Sequence, residues 1–251
     1  MKVTAVIGVI LLIGIYYYVT LPAINIHASE FWMYLVVLVI LAAVVFIRKK
    51  NLNRYDWKES KGLKVILGIL AVLVIAYVAG TVLSSPIVNA KKYQELLTVK
   101  NGEFTKDIEE LSFDQIPLLD KDSAELLGDR KMGSMVDMVS QFEADDIYSQ
   151  INYKDNPVRV TPLRYASIIK WFTNRSEGIP AYIRINMANQ NTELVKLDKG
   201  MKYVNSEYFN RNIYRHLRFA HPTYIYGELS FEIDENGDPY WIAPVKKFNI
   251  G

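Results

Sequence analysis

Residues 65–83, VILGILAVLVIAYVAGTVL, hold no charged side chain and no continuous polar face. As a helix rising about 1.5 Å per residue, the run reaches about 28 Å, close to the hydrocarbon thickness of a bilayer. A helix packed into a soluble core normally keeps a polar stripe for water, and this one has none. The run therefore predicts a membrane span. The most basic short segment of the chain lies just before it, and composition turns soluble just after it.

Two further apolar runs precede it. Val3 to about Leu21 is uncharged, with Tyr16, Tyr17 and Tyr18 near the end where an interfacial aromatic belt would lie, and Pro22 breaks the helix. A cleaved signal peptide is the alternative for this run, although Met1-Lys2 is a short n-region and Ile26-His27-Ala28 a poor cleavage site. Phe31 to Ile47 is the second run, with Trp32 at its outer edge. The expected organisation is a transmembrane region over 1–83, with spans at about 3–21, 31–47 and 65–83. An α+β domain with a mostly antiparallel sheet is expected over 84–251.

Charge sets the expected orientation. Residues 1–83 carry eight Lys or Arg against three acids, whereas 84–251 carry 21 against 24. The loop over 48–64 holds Arg48, Lys49, Lys50, Arg54, Lys58, Lys61 and Lys64 against Asp56 and Glu59. Such a loop is retained on the cytoplasmic side, which places the N-terminus inside and 84–251 outside a bacterial plasma membrane, facing the cell envelope. The loop is read as a topology determinant and lipid-facing segment, with anionic lipid as a further ligand. The acidic balance of 84–251 leaves a nucleic-acid surface without support. With no cysteine there is no disulfide framework and no thiolate metal site. No span carries an ionisable residue, which argues against a proton or ion pathway through these helices.

Within 84–251, Asn101-Gly102 between strand-like residues predicts a hairpin. Helices are expected from Asp122 or Ser123 to Leu127, over 132–142, over 164–172 with Tyr165, Ile168, Ile169 and Phe172 buried, and over 206–219 with Phe209, Ile213 and Leu217 buried. Strands are expected at 157–161, closed by Pro162, and at 181–187, 193–197, 223–225, 229–233 and 240–245, with a tight turn at 234–238. The sequence ends just past the last strand, which suggests a longer protein.

No catalytic pattern stands out. Ser167-Ile168-Ile169-Lys170 fits S-x-x-K, but the companion S-D-N and K-T-G motifs are missing. Asp234, Asn236 and Asp238 have the odd spacing of a calcium loop, but Gly237 is misplaced and position 244 is Pro. His216 and His221 fall off a common helix face. No metal site and no cofactor is expected. Arg211, Arg215 and Arg218, at i, i+4 and i+7 of the expected helix, form a basic stripe suited to phosphate or carboxylate. The stripe is an anion site for lipid headgroups or wall polymer, a face paired with the acidic half of the domain at 89–150, or simply a solvated face.

The runs Asp120-Lys121-Asp122, Leu127-Gly128-Asp129-Arg130-Lys131-Met132-Gly133 and Val139-Ser140-Gln141-Phe142-Glu143 resemble a family of polytopic membrane proteins from Gram-positive, clostridia-like bacteria. So do Pro157-Val158-Arg159-Val160-Thr161-Pro162-Leu163, Gly178-Ile179-Pro180-Ala181-Tyr182, Leu197-Asp198-Lys199-Gly200-Met201 and Pro239-Tyr240-Trp241-Ile242. The resemblance covers most of 113–245 and implies topology and a longer chain, not an activity. The expected function is thus an integral membrane protein whose outer domain binds or scaffolds an anionic envelope polymer or another membrane protein. The alternatives are an envelope enzyme with part of its catalytic set beyond residue 251, or an accessory subunit of a membrane complex.

Overall fold

A computed structural model of the chain describes residues 3–50, 56–95, 99–108, 110–174 and 176–246. These fall into two compact units. One comprises residues 1–102, 221–225 and 247–251; the other comprises 103–220 and 226–246.

The first unit is helical: α1 (Val3–Thr20), α2 (Ser29–Lys50), α3 (Lys61–Leu83) and the short α4 (Ala90–Glu95). The helices α2 and α3 are long and apolar enough to cross a membrane, with no buried stretch; Ile7–Thr20 of α1 is a shorter apolar helix. Ser60 starts α3 by accepting the Leu63 N–H at 3.3 Å. The Phe46 ring lies over Gly62, where a Cβ would overlap it. In the link after α1, the Ile24 N–H donates to the Pro222 carbonyl at 2.7 Å. The Asn25 carboxamide donates to the Thr223 carbonyl at 3.0 Å.

The second unit is built on an antiparallel sheet. Its strands are β1 (Phe142–Ala144), β2 (Ser149–Tyr153), β3 (Asn156–Tyr165), β4 (Ile179–Asn186) and β5 (Thr192–Met201). β3 is the axis: β4 lies along one side, while β2 and then β1 share the other. Alternation along the strands makes two cores. Leu163, Tyr165, Ile179, Ala181, Ile183 and Ile185 face α6 (Lys121–Gly133), α7 (Val136–Val139) and α8 (Ile168–Asn174). Val158, Val160 and Tyr182 face Phe231 and Trp241, from the hairpin of β7 (Ser230–Ile233) and β8 (Pro239–Ile242). The remaining elements are α5 (Phe104–Asp107), α9 (Ile213–Ala220) and the two-residue strands β6 (Ile225–Tyr226) and β9 (Val245–Lys246), which pair.

Several expectations are corrected. No hairpin forms at Asn101-Gly102: 99–103 has no regular structure and 104–107 is α5; residues 96–98 lie outside the described residues. The helix opened by Asp120 runs on through Gly128 to Gly133, because Gly128 is buried against Ile183 and no αL turn stops it there. β3 does not stop at Pro162. Asp145 donates its N–H to the Pro162 carbonyl at 2.9 Å, and the missing N–H falls where pairing passes from β2 to β1. The helix expected over 164–172 becomes the end of β3 followed by α8, and α8 buries Trp171 while Ile168, Ile169 and Phe172 face solvent. The helix expected over 206–219 is a 3₁₀ turn at Phe209–Arg211 followed by α9.

One close backbone crossing fixes two glycines. Gly178 adopts φ +77°, and a Cβ there would lie 2.7 Å from the Met201 carbonyl; a Cβ on Gly200 would overlap the Glu177 carbonyl. Gly200→Ala is expected to lower stability by about 1–3 kcal/mol in a urea titration, since only backbone can move aside. An unchanged midpoint would show that the crossing opens freely.

Candidate functional site

The hairpin joining β2 to β3 turns on Lys154 (φ 50°) and Asp155 (φ 60°), a two-residue turn of type I′. Such a turn makes its flanking pair, Tyr153 and Asn156, a hydrogen-bonded one. Counting back, Ile151–Val158 and Ser149–Val160 are also hydrogen-bonded pairs, while Asn152–Pro157 and Gln150–Arg159 are not. That phase suits Pro157, which has no N–H to give, and it leaves the N–H and C=O of Gln150 and Asn152 pointing away from β3. Among the described residues these outward groups meet no partner.

A groove of about 340 Å³ lies beside β2, lined by Gln150 and Asn152 of β2, Pro157 and Val158 of β3, and Leu111 and Met187 among others. Its far wall is the strap over 111–119. Ser112 and Gln115 hold the strap's 3₁₀ turn, with the Gln115 Oε1 accepting from the Ser112 N–H at 3.1 Å and its hydroxyl at 3.0 Å. The Leu118 N–H then donates to the Met187 carbonyl at 3.0 Å, tying the strap to the end of β4. Leu111, Phe113 and Leu118 are exposed along it. The arrangement places an apolar trough beside a row of unused peptide groups.

The arginines read from the sequence do not form one helical stripe. Arg211 lies in the 3₁₀ turn, with its guanidinium 3.4 Å from the Lys202 carbonyl. Asn212 breaks the helix and caps α9 by accepting the Arg215 N–H at 2.9 Å. Arg218 is buried, only 3% exposed, and donates from Nε (3.2 Å) and Nη2 (2.9 Å) to the Tyr214 hydroxyl. In the basic segment, Arg48, Lys49 and Lys50 end α2, Lys58 lies in a 3₁₀ turn, and Lys61 and Lys64 open α3; Arg54 lies outside the described residues.

The remaining candidates take structural roles. The Ser167 hydroxyl accepts the Lys170 N–H at the start of α8. Asp234 accepts the N–H groups of Asn236 (2.9 Å) and Asp238 (2.8 Å), and these backbone donors hold its carboxyl below the usual range. The His216 ring stacks on Tyr203, with ring centres 4.0 Å apart. Among the described residues no group of three or more acids or histidines can hold a metal.

A buried acid pair escaped sequence reading. Glu207 is 7% exposed and Asp145 5%. Both Asp145 oxygens lie 2.7 Å from the Ser206 hydroxyl. Burial pushes the Glu207 carboxyl up to about 7, and Asp145 adds to the shift. The Tyr208 N–H, the Arg211 guanidinium and the Trp171 indole N–H oppose it, but neither carboxylate oxygen completes a hydrogen bond of normal geometry. Burial likewise pushes the Tyr165 phenol, which faces the same acid, up to about 12. The neighbouring Phe209 holds φ 50°, a conformation that a bulky residue adopts only under constraint. A lone Ser206-Glu207 in a polar loop gives no sequence signal of burial, because the partner Asp145 is distant in the chain.

No protein-family model matches the chain, and no curated protein or solved structure is significantly similar to it.

Proposed function

We propose that the chain is an integral bacterial plasma-membrane protein held by three spans, with the N-terminus and the 48–64 loop in the cytoplasm. Its sheet unit lies outside and binds or scaffolds a partner in the cell envelope through the groove beside β2. The observation that carries this reading is the groove itself, an apolar trough lined by Leu111, Pro117 and Met187 along a strand edge with unused peptide groups. Two long helices whose apolar side chains are left uncovered support the membrane part. The basic loop after α2 supports the orientation. Arg218, buried against the Tyr214 hydroxyl, is withdrawn from the expected basic stripe, which favours the groove as the partner site.

Because the chain has no cysteine, single cysteines report cleanly. Lys58→Cys and Asn236→Cys, both at exposed positions, are treated in whole cells with a membrane-impermeant maleimide. Labelling at 236 and not at 58 is the expected result. Labelling at 58 alone would invert the topology and remove the envelope from the reading.

A further inference from the structure

We propose that β2 pairs edge to edge with β2 of a second copy of this chain, joining two sheets across a two-fold axis at Ile151. The inference rests on the reading of the groove as a partner site and names the partner.

The outward N–H and C=O groups of Gln150 and Asn152 repeat at about 6.8 Å, twice the rise of an extended residue. Only another extended polypeptide presents donors and acceptors in that alternation; a glycan or a lipid headgroup does not. The two edges of this sheet are also built differently. β5, the opposite edge, carries Glu193, Lys196, Asp198 and Lys199 and has a register irregularity against β4. Charges and irregularities of that kind keep edges from pairing. β2 reads Ser-Gln-Ile-Asn-Tyr, with no charge, no proline and an unbroken register. One edge is guarded and the other is left able to pair.

The phase of the hairpin fixes how two β2 strands meet. Only the antiparallel register centred on Ile151 pairs both outward residues at once, Gln150 with the second copy's Asn152 and the reverse, for four backbone hydrogen bonds. It sets carboxamide beside carboxamide and opposes no like charges. The two Ile151 residues then form a non-hydrogen-bonded pair with Cα atoms about 4.5 Å apart. A five-residue edge is a small interface, and confinement of both copies to one membrane supplies the effective concentration that it needs.

That separation is within the range for a disulfide. Full-length Ile151→Cys protein, in membranes of expressing cells, is oxidised with copper phenanthroline and run on a non-reducing gel. A dimer band at least tenfold stronger than that from Asn236→Cys is expected. Asn152→Pro added to Ile151→Cys removes one outward N–H without touching the β2–β3 ladder, and is expected to abolish the band. Should that proline variant lose its native thermal transition, Gln150→Pro replaces it, since it removes the other outward N–H. A band no stronger than the Asn236→Cys control, or one that survives the proline, overturns the proposal. In parallel, the photocrosslinking residue p-benzoylphenylalanine is placed at Leu111. Adducts with a different protein together with no Ile151→Cys dimer would overturn the second copy and keep the groove as a partner site. No adduct of any kind together with no Ile151→Cys dimer would overturn both.

Discussion

Phe231→Ala is expected to destabilise the sheet unit by about 3–5 kcal/mol. Phe231 is fully buried and is the main side chain that the β7–β8 hairpin inserts against the sheet. Its ring lies 5.9 Å from that of Tyr182 and 5.3 Å from that of Trp241, and Val158 and Val160 complete the pocket. Its largest buried neighbour cannot swing in to refill the space: Tyr182 is itself pinned by donating its hydroxyl to the Gly237 carbonyl at 2.9 Å. A loss of that size is a large part of the 5–15 kcal/mol typical of a domain. Urea unfolding of the full chain in detergent micelles, followed by tryptophan fluorescence, gives the measurement. A loss under 1 kcal/mol would mean that the hairpin is not packed as described. Phe231→Leu, which keeps most of the apolar volume, is expected to retain most of the stability.

The second large effect is one of pH. Burial raises the pKa of the Glu207 carboxyl to about 7 from its ordinary value of 4.5. Between those values the folded state therefore holds a proton that the unfolded state has released. Stability contributed by the protonated acid is complete below about pH 4.5 and is lost as pH rises to about 7. The loss is on the order of 3 kcal/mol for this one group. Glu207→Gln keeps the shape and has no proton to lose. The difference in unfolding free energy between the variant and the parent is expected to grow in the variant's favour from pH 4.5 to pH 8. Taking the difference cancels the carboxylates and histidines common to both. Parallel pH profiles would show that Glu207 titrates like an exposed acid and that the Asp145–Glu207 pair is not desolvated.

What the sequence made legible follows the strength of its local signals. The apolar runs became α1, α2 and α3 because nothing polar interrupts them. Alternation at 181–187 and 193–197 became β4 and β5, and Asp234–Asp238 became the turn between β7 and β8. The antiparallel α+β character was legible for the same reason. What failed depended on distant partners. Asn101-Gly102 carries a hairpin signal, but Val99 and Phe104 beside it are left exposed, so no packing holds two strands there. Pro162 reads as a strand end unless one knows that β2 stops and β1 begins beside it. Ile168, Ile169 and Phe172 look like a core face, yet Trp171 takes the buried position because Tyr208 and Phe209 pack their rings about 5.7 Å from its own. The groove was invisible in the sequence, since its walls are joined by the Leu118–Met187 contact across about 70 residues. The free edge was half legible: a neutral Ser-Gln-Ile-Asn-Tyr strand can be read, but not the side on which it is left open.

The strands β2, β3, β4 and β5 lie side by side in the order in which they occur along the chain, and β1 joins the same flank of β3. Each of those four therefore pairs with a neighbour made just before or just after it, and loop closure is short at each step. A growing chain can zip this sheet as it emerges, with no wait for a remote segment. The β7–β8 hairpin is different, because it is made only after α9 and β6. Until then Val158, Val160 and Tyr182 lack their cover, and the half-made unit shows an apolar sheet face beside an unguarded edge. Crowded nascent chains would be most prone to stick to one another during that interval, which makes the rate of synthesis through 202–242 a determinant of yield.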